Sequence, residues 1–412
     1  MRGSLSVFSE ILRLQIWVVP ALSAILAGVA ALLVVWLEGT TTSLGLGIDV
    51  APVSARALLS AVSSAMISFT GLVFTVTMLV LQLASSQLSP RVMRTFLRDR
   101  FNQAVLGLFV ATFIFALLML ASVKDDFVPQ LGVMASIGLV LAAVLAFVAY
   151  IDHMAHAIRP TSVIGAIAAE TRDAIDRNYA ALDDAEVDTE AGPQAPPDRV
   201  DDADSGRAVR WTRASGYIQA IDEERLLEHA AGQGYSLRLL AGIGEYIVRD
   251  APILTVDDGD GVADSVAAEG LADAIRVGPE RTMSQDPGFG FRQLVDVALR
   301  ALSPSLNDPT TANQVIDQLH DLLRHLLTRQ ITATRRIRSE AGASIVIPAP
   351  DWDAFVVSAV DEIHDASASM PQVRTHLRAM LASLADAASP GRQPAVRRAL
   401  ARFDSTSASE RV

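Results

Sequence analysis

The residues able to do chemistry in this chain fall into a few short constellations. Asp152, His153 and His156 sit together, and Asp152 and His156 are four apart, on one face of a helix. Two such ligands could begin a metal site, but the plainer reading is a polar collar beside an apolar segment. "TVDDGDGVADSVAAEG" sets Asp258, Asp260, Asp264 and Glu269 at calcium-loop positions one, three, seven and twelve. Val262 holds the fifth position and Ala263 the one where the sharp turn needs glycine, which favours a solvated loop. Asp317, His320, Asp321 and Arg324 share a helix face with His325 nearby, the pattern of a hydrated surface. Glu280, Arg281, Asp286, Arg292 and Asp308 form a last group, read as a structural polar network in preference to a ligand pocket. None of these sets offers a nucleophile beside a matching base. The sequence points away from an enzyme, and to no cofactor.

Composition closes further routes. The chain has no cysteine, which excludes disulfides, thiolate metal sites and cysteine nucleophiles. Lys124 is the only lysine, so a lysine Schiff base or P-loop lysine has no other place to be. Of 412 residues 51% are hydrophobic, and mean hydropathy is +0.34, values of a chain at least partly in a membrane. Residues 1–160 carry 9 basic and 7 acidic residues, leaving 25 against 39 for residues 161–412. A soluble half so acidic argues against nucleic acid as a partner.

A different kind of constellation lies in "LLSAVSSAMISFTGLVFTVTMLVLQLASSQL", residues 58–88, which contains no charge. As a helix it would reach about 46 Å, longer than a hydrocarbon core of ~30 Å. Ser60, Ser64, Ser68, Gly71, Thr75, Met78, Gln82, Ser85 and Ser89 recur every three or four residues and line one face. The stripe runs past the apolar core and leads into Arg91, Arg94 and Arg98. In one reading its hydroxyls pair with neighbouring spans inside a bundle. In the other, several copies pack around an axis, the stripe lines a water-filled path, and Phe74, Met78 or Leu81 supplies a constriction. Rings of arginine at the inner mouth would attract anions, whereas the acidic soluble half pulls the other way.

The elements that must position these residues follow. Four spans are expected at about 16–37, 58–88, 104–123 and 131–151, within a transmembrane domain of residues 1–160. Trp17 and Trp36 flank the first as interfacial anchors, and the N-terminus is too polar for a secretory signal. Arginines gather after the second span, at the N-terminus and after the fourth, so both termini are expected in the cytoplasm of a bacterial inner-membrane protein. A helix is expected to continue from the fourth span through Asn178. Residues 161–205 then hold a helical extension and an acidic linker, with nine acids and three prolines between Asp183 and Asp204.

Residues 206–280 alternate like short strands, with Asp222 as the N-cap of a helix. "SGYIQAID" and "GEYIVRDAPILTV" resemble barrel-sandwich domains, which implies a small β-barrel-like module. The family's modified lysine is missing, so no carrier function follows. Residues 281–405 are expected to be helical, with Asp308 an N-cap ahead of Pro309, and residues 406–412 a frayed tail. The fold class is thus a mainly α membrane protein with a cytoplasmic α+β domain.

Three long stretches carry a more specific likeness: "ISFTGLVFTVTMLVLQLASSQLSPRVMRTFLRDR", "LGLFVATFIFALLML" and "ERTMSQDPGFGFRQLVDVALRALSPSLNDPTTA". In this order they resemble the bacterial membrane-protein family known as domain of unknown function 2254. The resemblance implies a membrane bundle followed by a soluble domain, and brings no activity. The expected function is therefore argued from physics: a homo-oligomeric ion channel or passive pore in the lipid bilayer, with the soluble domain assembling or gating it. The alternative is a non-conducting sensor or scaffold whose soluble domain binds a ligand or partner protein.

Overall fold

The computed structural model describes residues 18–40, 50–87, 100–125, 127–157, 159–182, 207–233, 235–257, 267–339 and 342–409. The chain divides into two compact units, Met1–Ser162 and Val163–Val412. Four helices of the first are long and apolar enough to cross a membrane. They are α1 (Val18–Thr40), α2 (Pro52–Gln87), α3 (Arg100–Ser122) and α4 (Gln130–Ala157). Helix α2 starts six residues earlier than the uncharged stretch suggests, because Pro52 suits the first turn and Arg56 reaches out to Asp125 at 2.9 Å.

Helix α3 packs against the other three. Its inward positions include Val105, Gly107, Phe109, Thr112, Phe115, Ala116 and Met119, spaced by three and four. Gly107 is needed for the crossing with α1, since a Cβ there would lie 2.7 Å from the Ser23 hydroxyl. Toward one end the core is Ala31, Leu59, Phe115, Ala116 and Met119; toward the other it is Met66, Val73, Phe109, Ala143 and Tyr150. Phe69 and Phe147 meet edge-on at 5.0 Å beside Phe109.

Helix α4 stops at Ala157, and α5 (Pro160–Asn178) begins anew, so one continuous helix through Asn178 is not formed. Pro160 has no N–H to give and its ring would clash with the preceding turn.

In the second unit, β1 (Arg207–Arg210), β3 (Ser236–Leu239), β5 (Pro252–Asp257), β7 (Thr334–Arg338) and β8 (Ser344–Pro348) form one sheet in the order β1-β5-β3-β8-β7. A second sheet runs β4-β2-β6, from β2 (Gly216–Ile221), β4 (Tyr246–Ile247) and β6 (Ile275–Gly278). Helix α6 (Glu223–Gln233) is capped by Asp222, whose carboxylate accepts from Arg225 N. The short α7 (Ala267–Asp273) precedes β6. Ile218, Leu226, Leu237, Leu254, Val256 and Ile345 meet in their shared core.

Two separate sheets stand where a barrel was expected; no closed barrel forms among the described residues. The stretch read as wholly helical, 281–405, contributes the β7–β8 hairpin. Its β8 lies parallel to β3, pairing Leu237 with Ile345 and Arg238 with Val346. A parallel partner from 108 positions away leaves no local turn signal, which is why the pattern hid it.

The remaining helices are α8 (Pro287–Ala301), α9 (Pro309–Leu326), α10 (Trp352–Ala366), α11 (Pro371–Ala387) and α12 (Gln393–Ser409). The last runs through Ser409 where a frayed tail from 406 was expected. Helix α5 joins this group: a Cβ on Gly290 of α8 would fall 1.9 Å from the Thr171 hydroxyl, so the Thr171 side chain packs directly on the α8 backbone.

Candidate functional site: the outward face of the second helix

The buried positions of α2 are Ala55, Leu59, Ser63, Met66, Val73, Val80 and Leu81. The polar stripe lies on the other side. Ser60, Ser64, Ser68, Gly71, Thr75, Met78 and Gln82 are all exposed on the outside of the bundle. Phe74 is exposed with them, while Leu81 is buried at 8% and is not available as a constriction on that face. Ser85 lies in the last turn of α2; Ser89, Arg91, Arg94 and Arg98 lie outside the described residues.

Two of the stripe's hydroxyls bond locally to the helix backbone. The Ser68 hydroxyl donates to the Ser64 carbonyl at 3.1 Å, and that of Thr75 to the Gly71 carbonyl at 2.8 Å. Such bonds lower the cost of an apolar environment and leave an oxygen lone pair for water or a neighbour. A Cβ on Gly71 would meet nothing within 4 Å. The outward faces of α1 and α4 differ in kind: Leu22, Ile25, Leu26 and Leu32 on one, Leu141, Leu145, Val148 and Ile151 on the other. Those positions are aliphatic; on α2 the exposed Ile67, Leu72 and Leu79 flank a stripe that is small and hydroxylated.

Hydroxyls that do serve the bundle are ones sequence reasoning passed over. Thr77 Oγ1 lies 2.9 Å from the Tyr150 hydroxyl, which reaches the Val73 carbonyl at 3.1 Å, with Asn102 Oδ1 3.5 Å from Thr77. The signal was present: Tyr150 is an isolated phenol at the end of an aliphatic span. At another point of the bundle Glu38 accepts from Leu131 N at 2.5 Å and so caps α4.

The other candidates separate into local structure. His156 Nδ1 sits 2.8 Å from the Asp152 carbonyl and 3.6 Å from its carboxylate, and His153 packs on Phe101. No group of three metal-ligating side chains converges among the described residues. Asp258, Asp260 and Asp264 lie outside them. Of the group containing Glu280, Arg281 and Asp286 meet in a fork of 2.8 and 3.0 Å. The Glu280 carbonyl accepts from Gln219. Asp286 also caps α8 through Phe289 N, and Gly244, at φ +83°, lies against the pair. Burial pushes the Asp286 carboxyl above its ordinary range; Arg281 and the Phe289 N–H oppose this without fully offsetting it. Arg292 is held by Asp296 and Glu362, and Asp308 caps α9 through Thr310 N and Thr311 N. Arg281 with Asp286, Arg292 and Asp308 thus each serve a local structural purpose.

The polar face of α9 is not simply hydrated. Arg172 of α5 pairs with Asp321, and Asp176 of α5 receives both His325 at 2.6 Å and Arg329. On the opposite flank Asp317 meets His376 at 2.7 Å and His320 meets Ser383 at 3.1 Å. Burial, with Arg324 nearby, lowers the pKa of His320. Burial alone would raise the Asp176 carboxyl, but the hydrogen bond and charge of His325, with Arg329 and Arg172, hold it below its usual value. Tyr179, just beyond α5, is pushed up to about 12 by burial. The helix that follows the fourth span is thereby tied into the second unit by charge as well as packing.

The comparisons with known proteins agree with this architecture. The family described as predicted membrane protein (DUF2254) matches residues 13–383. Uncharacterized proteins of Mycobacterium tuberculosis and Mycobacterium bovis are 32% identical over 360 residues, covering 85% of this chain and 67% of theirs. No solved structure matches. The chain belongs to the predicted membrane protein family DUF2254.

Proposed function

We propose that several copies of this protein assemble around an axis, with α2 of each copy lining a path for ions or other small solutes. The observation that supports this is the outward direction of the Ser60–Gln82 stripe, on a bundle whose other outward faces are aliphatic. Hydroxyl groups with free lone pairs suit water, and Phe74 or Met78 on the same side suits an apolar constriction that gates by dewetting. The arginines at 91, 94 and 98 then stand at the inner mouth.

The positive-inside pattern supports placement in a bacterial inner membrane with both termini in the cytoplasm. In this reading the second unit assembles or gates the path and is not an enzyme. Its lever is α5, which starts three residues after α4 ends and is bound to α9 through Asp176 and Arg172.

The test is conductance of the purified protein in planar bilayers. Thr75→Leu, which fills the path with an isobutyl group, is expected to abolish or strongly reduce the current, whereas Leu145→Val on the aliphatic face of α4 leaves it unchanged. No current from the native protein under varied voltage, tension and calcium overturns the proposal.

A further inference from the structure

Residues 161–412 carry 39 acids against 25 basic residues, and nine of the arginines pair with carboxylates. Arg172, Arg213, Arg225, Arg281, Arg292, Arg329, Arg335, Arg398 and Arg402 all have carboxylate partners. Three that do not are Arg238, Arg336 and Arg338, and the sheet register puts them together. Arg238 of β3 stands opposite Val346 of β8, and Val346 stands opposite Arg336 of β7. Arg338 follows two residues on, on the same face.

The alternation of the strands fixes which face this is. Leu237, Leu239, Ile345 and Ile347 are buried toward the core, while Arg238, Arg336 and Arg338 are exposed on the other side. Arg335, one residue off, points inward at the edge and pairs with Glu223 of α6. Spacings of about 4.8 Å between strands and about 7 Å along one place the three guanidinium stems in a triangle roughly 7 by 10 Å. Between and beside them lie the hydroxyls of Ser236, Ser344 and Thr255, with the first two bonded to each other at 3.0 Å. Asp257, opposite Ser236, is the acid in the adjoining row.

In a unit with surplus carboxylates, three adjacent arginines without one form a local reversal of charge. The three arginines stand exposed on a sheet face, and such a face suits an extended anionic surface better than a small solute, which needs enclosure. We propose that this open face of the five-stranded sheet binds the anionic phospholipid headgroups of a bilayer. Guanidinium forks pair with phosphate oxygens, and the hydroxyls donate to those that remain. The inference does not depend on conduction, and its test does not read it.

Because the chain is free of cysteine, S344C supplies a unique thiol for a fluorophore on this face. The full-length protein is reconstituted into nanodiscs of phosphatidylcholine, alone or with phosphatidylglycerol, each with a headgroup spin label as quencher. Stronger quenching in the phosphatidylglycerol discs is expected, fading as salt shortens the reach of the charges. R238Q/R336Q/R338Q is expected to lower the bound-to-free ratio by about fivefold per arginine, on the order of 10²-fold for all three. R238K/R336K/R338K keeps most of the effect, which separates loss of charge from loss of fold. Equal quenching in both kinds of disc overturns the proposal. So does a fluorescence response to inositol hexakisphosphate, lost in the glutamine variant, in protein that phosphatidylglycerol does not quench, since the face then serves a soluble anion.

Discussion

Removing the Asp176 carboxylate asks whether α5 is held to the second unit by charge. This one group receives His325 at 2.6 Å and Arg329, whose side chains are only 16% and 18% exposed. Hydrogen bonds to charged groups contribute about 1.5–3 kcal/mol each, and fully exposed ion pairs under about 1. Asp176 is itself 43% exposed, so solvent screening moves the estimate toward the lower end. Asp176→Ala is expected to cost about 2 kcal/mol, and Asp176→Asn about 1, because its amide oxygen still accepts from one partner. For a unit of this size 1 kcal/mol moves Tm by roughly 2–4 °C, so the alanine variant should melt about 4–8 °C lower.

The pH dependence has a fixed sign. The folded pKa of Asp176 lies below its ordinary value, so its contribution is present above about pH 4 and is lost as pH falls through the folded pKa. The assay is thermal unfolding of the full-length protein in detergent, with hydrogen exchange read on residues 163–182. Faster exchange there should accompany the lower Tm, and the gap between variant and native protein should narrow as pH falls below the ordinary carboxylate range. Arg329→Met combined with Asp176→Ala should cost less than the sum of the two, since no orphaned cation remains. A Tm within about 1 °C of native, or a gap that persists undiminished in acid, refutes the reasoning.

Other substitutions test separate parts of the account. Gly244→Ala should cost about 3 kcal/mol or more, from a Cβ 2.3 Å from the Asp286 carboxylate and a left-handed backbone at φ +83°, seen as reduced yield and Tm. Arg392 closes the end of α9 by donating to the Leu326 and Arg329 carbonyls at 2.9 and 2.6 Å while lying over Trp352. Burial lowers its pKa, yet Arg392→Met should lower stability by about 2–4 kcal/mol, and Arg392→Lys should not restore it. Arg336→Gln, with no carboxylate partner to lose, should leave stability within about 0.5 kcal/mol of native, read by thermal unfolding.

How much of this was legible in the sequence depends on whether the signal was local. Apolar runs located the four long helices, and the caps at Asp222 and Asp308 were read correctly because a cap acts within three residues. The stripe on α2 was legible as a face, but its direction was not. Periodicity says which residues share a side, while only the packing of Leu59, Met66 and Val73 against α3 and α4 says which side looks out.

Long-range pairing was the blind spot. The β3–β8 register, the docking of α5 on α9 and the Arg238–Arg336 juxtaposition join residues roughly a hundred or more positions apart. Members of the group at Glu280 are near in sequence, yet Arg281 and Asp286 pair with each other while Arg292 and Asp308 serve other neighbours. A helix break at Pro160 was a local signal overlooked, since a proline within a helical pattern ends or kinks the helix before it.

The central claim is that the outward face of α2 meets water between copies of the chain. Single cysteines placed in the cysteine-free protein at Ser64, Ser68 or Thr75, and at Leu141 or Leu145 as controls, can be modified by a charged, membrane-impermeant thiol reagent while bilayer current is recorded. The account predicts that modification at the three α2 positions blocks the current and that the two α4 positions do not react. Unreactive thiols at Ser64, Ser68 and Thr75 in a conducting protein, or reaction there without change in current, would contradict it.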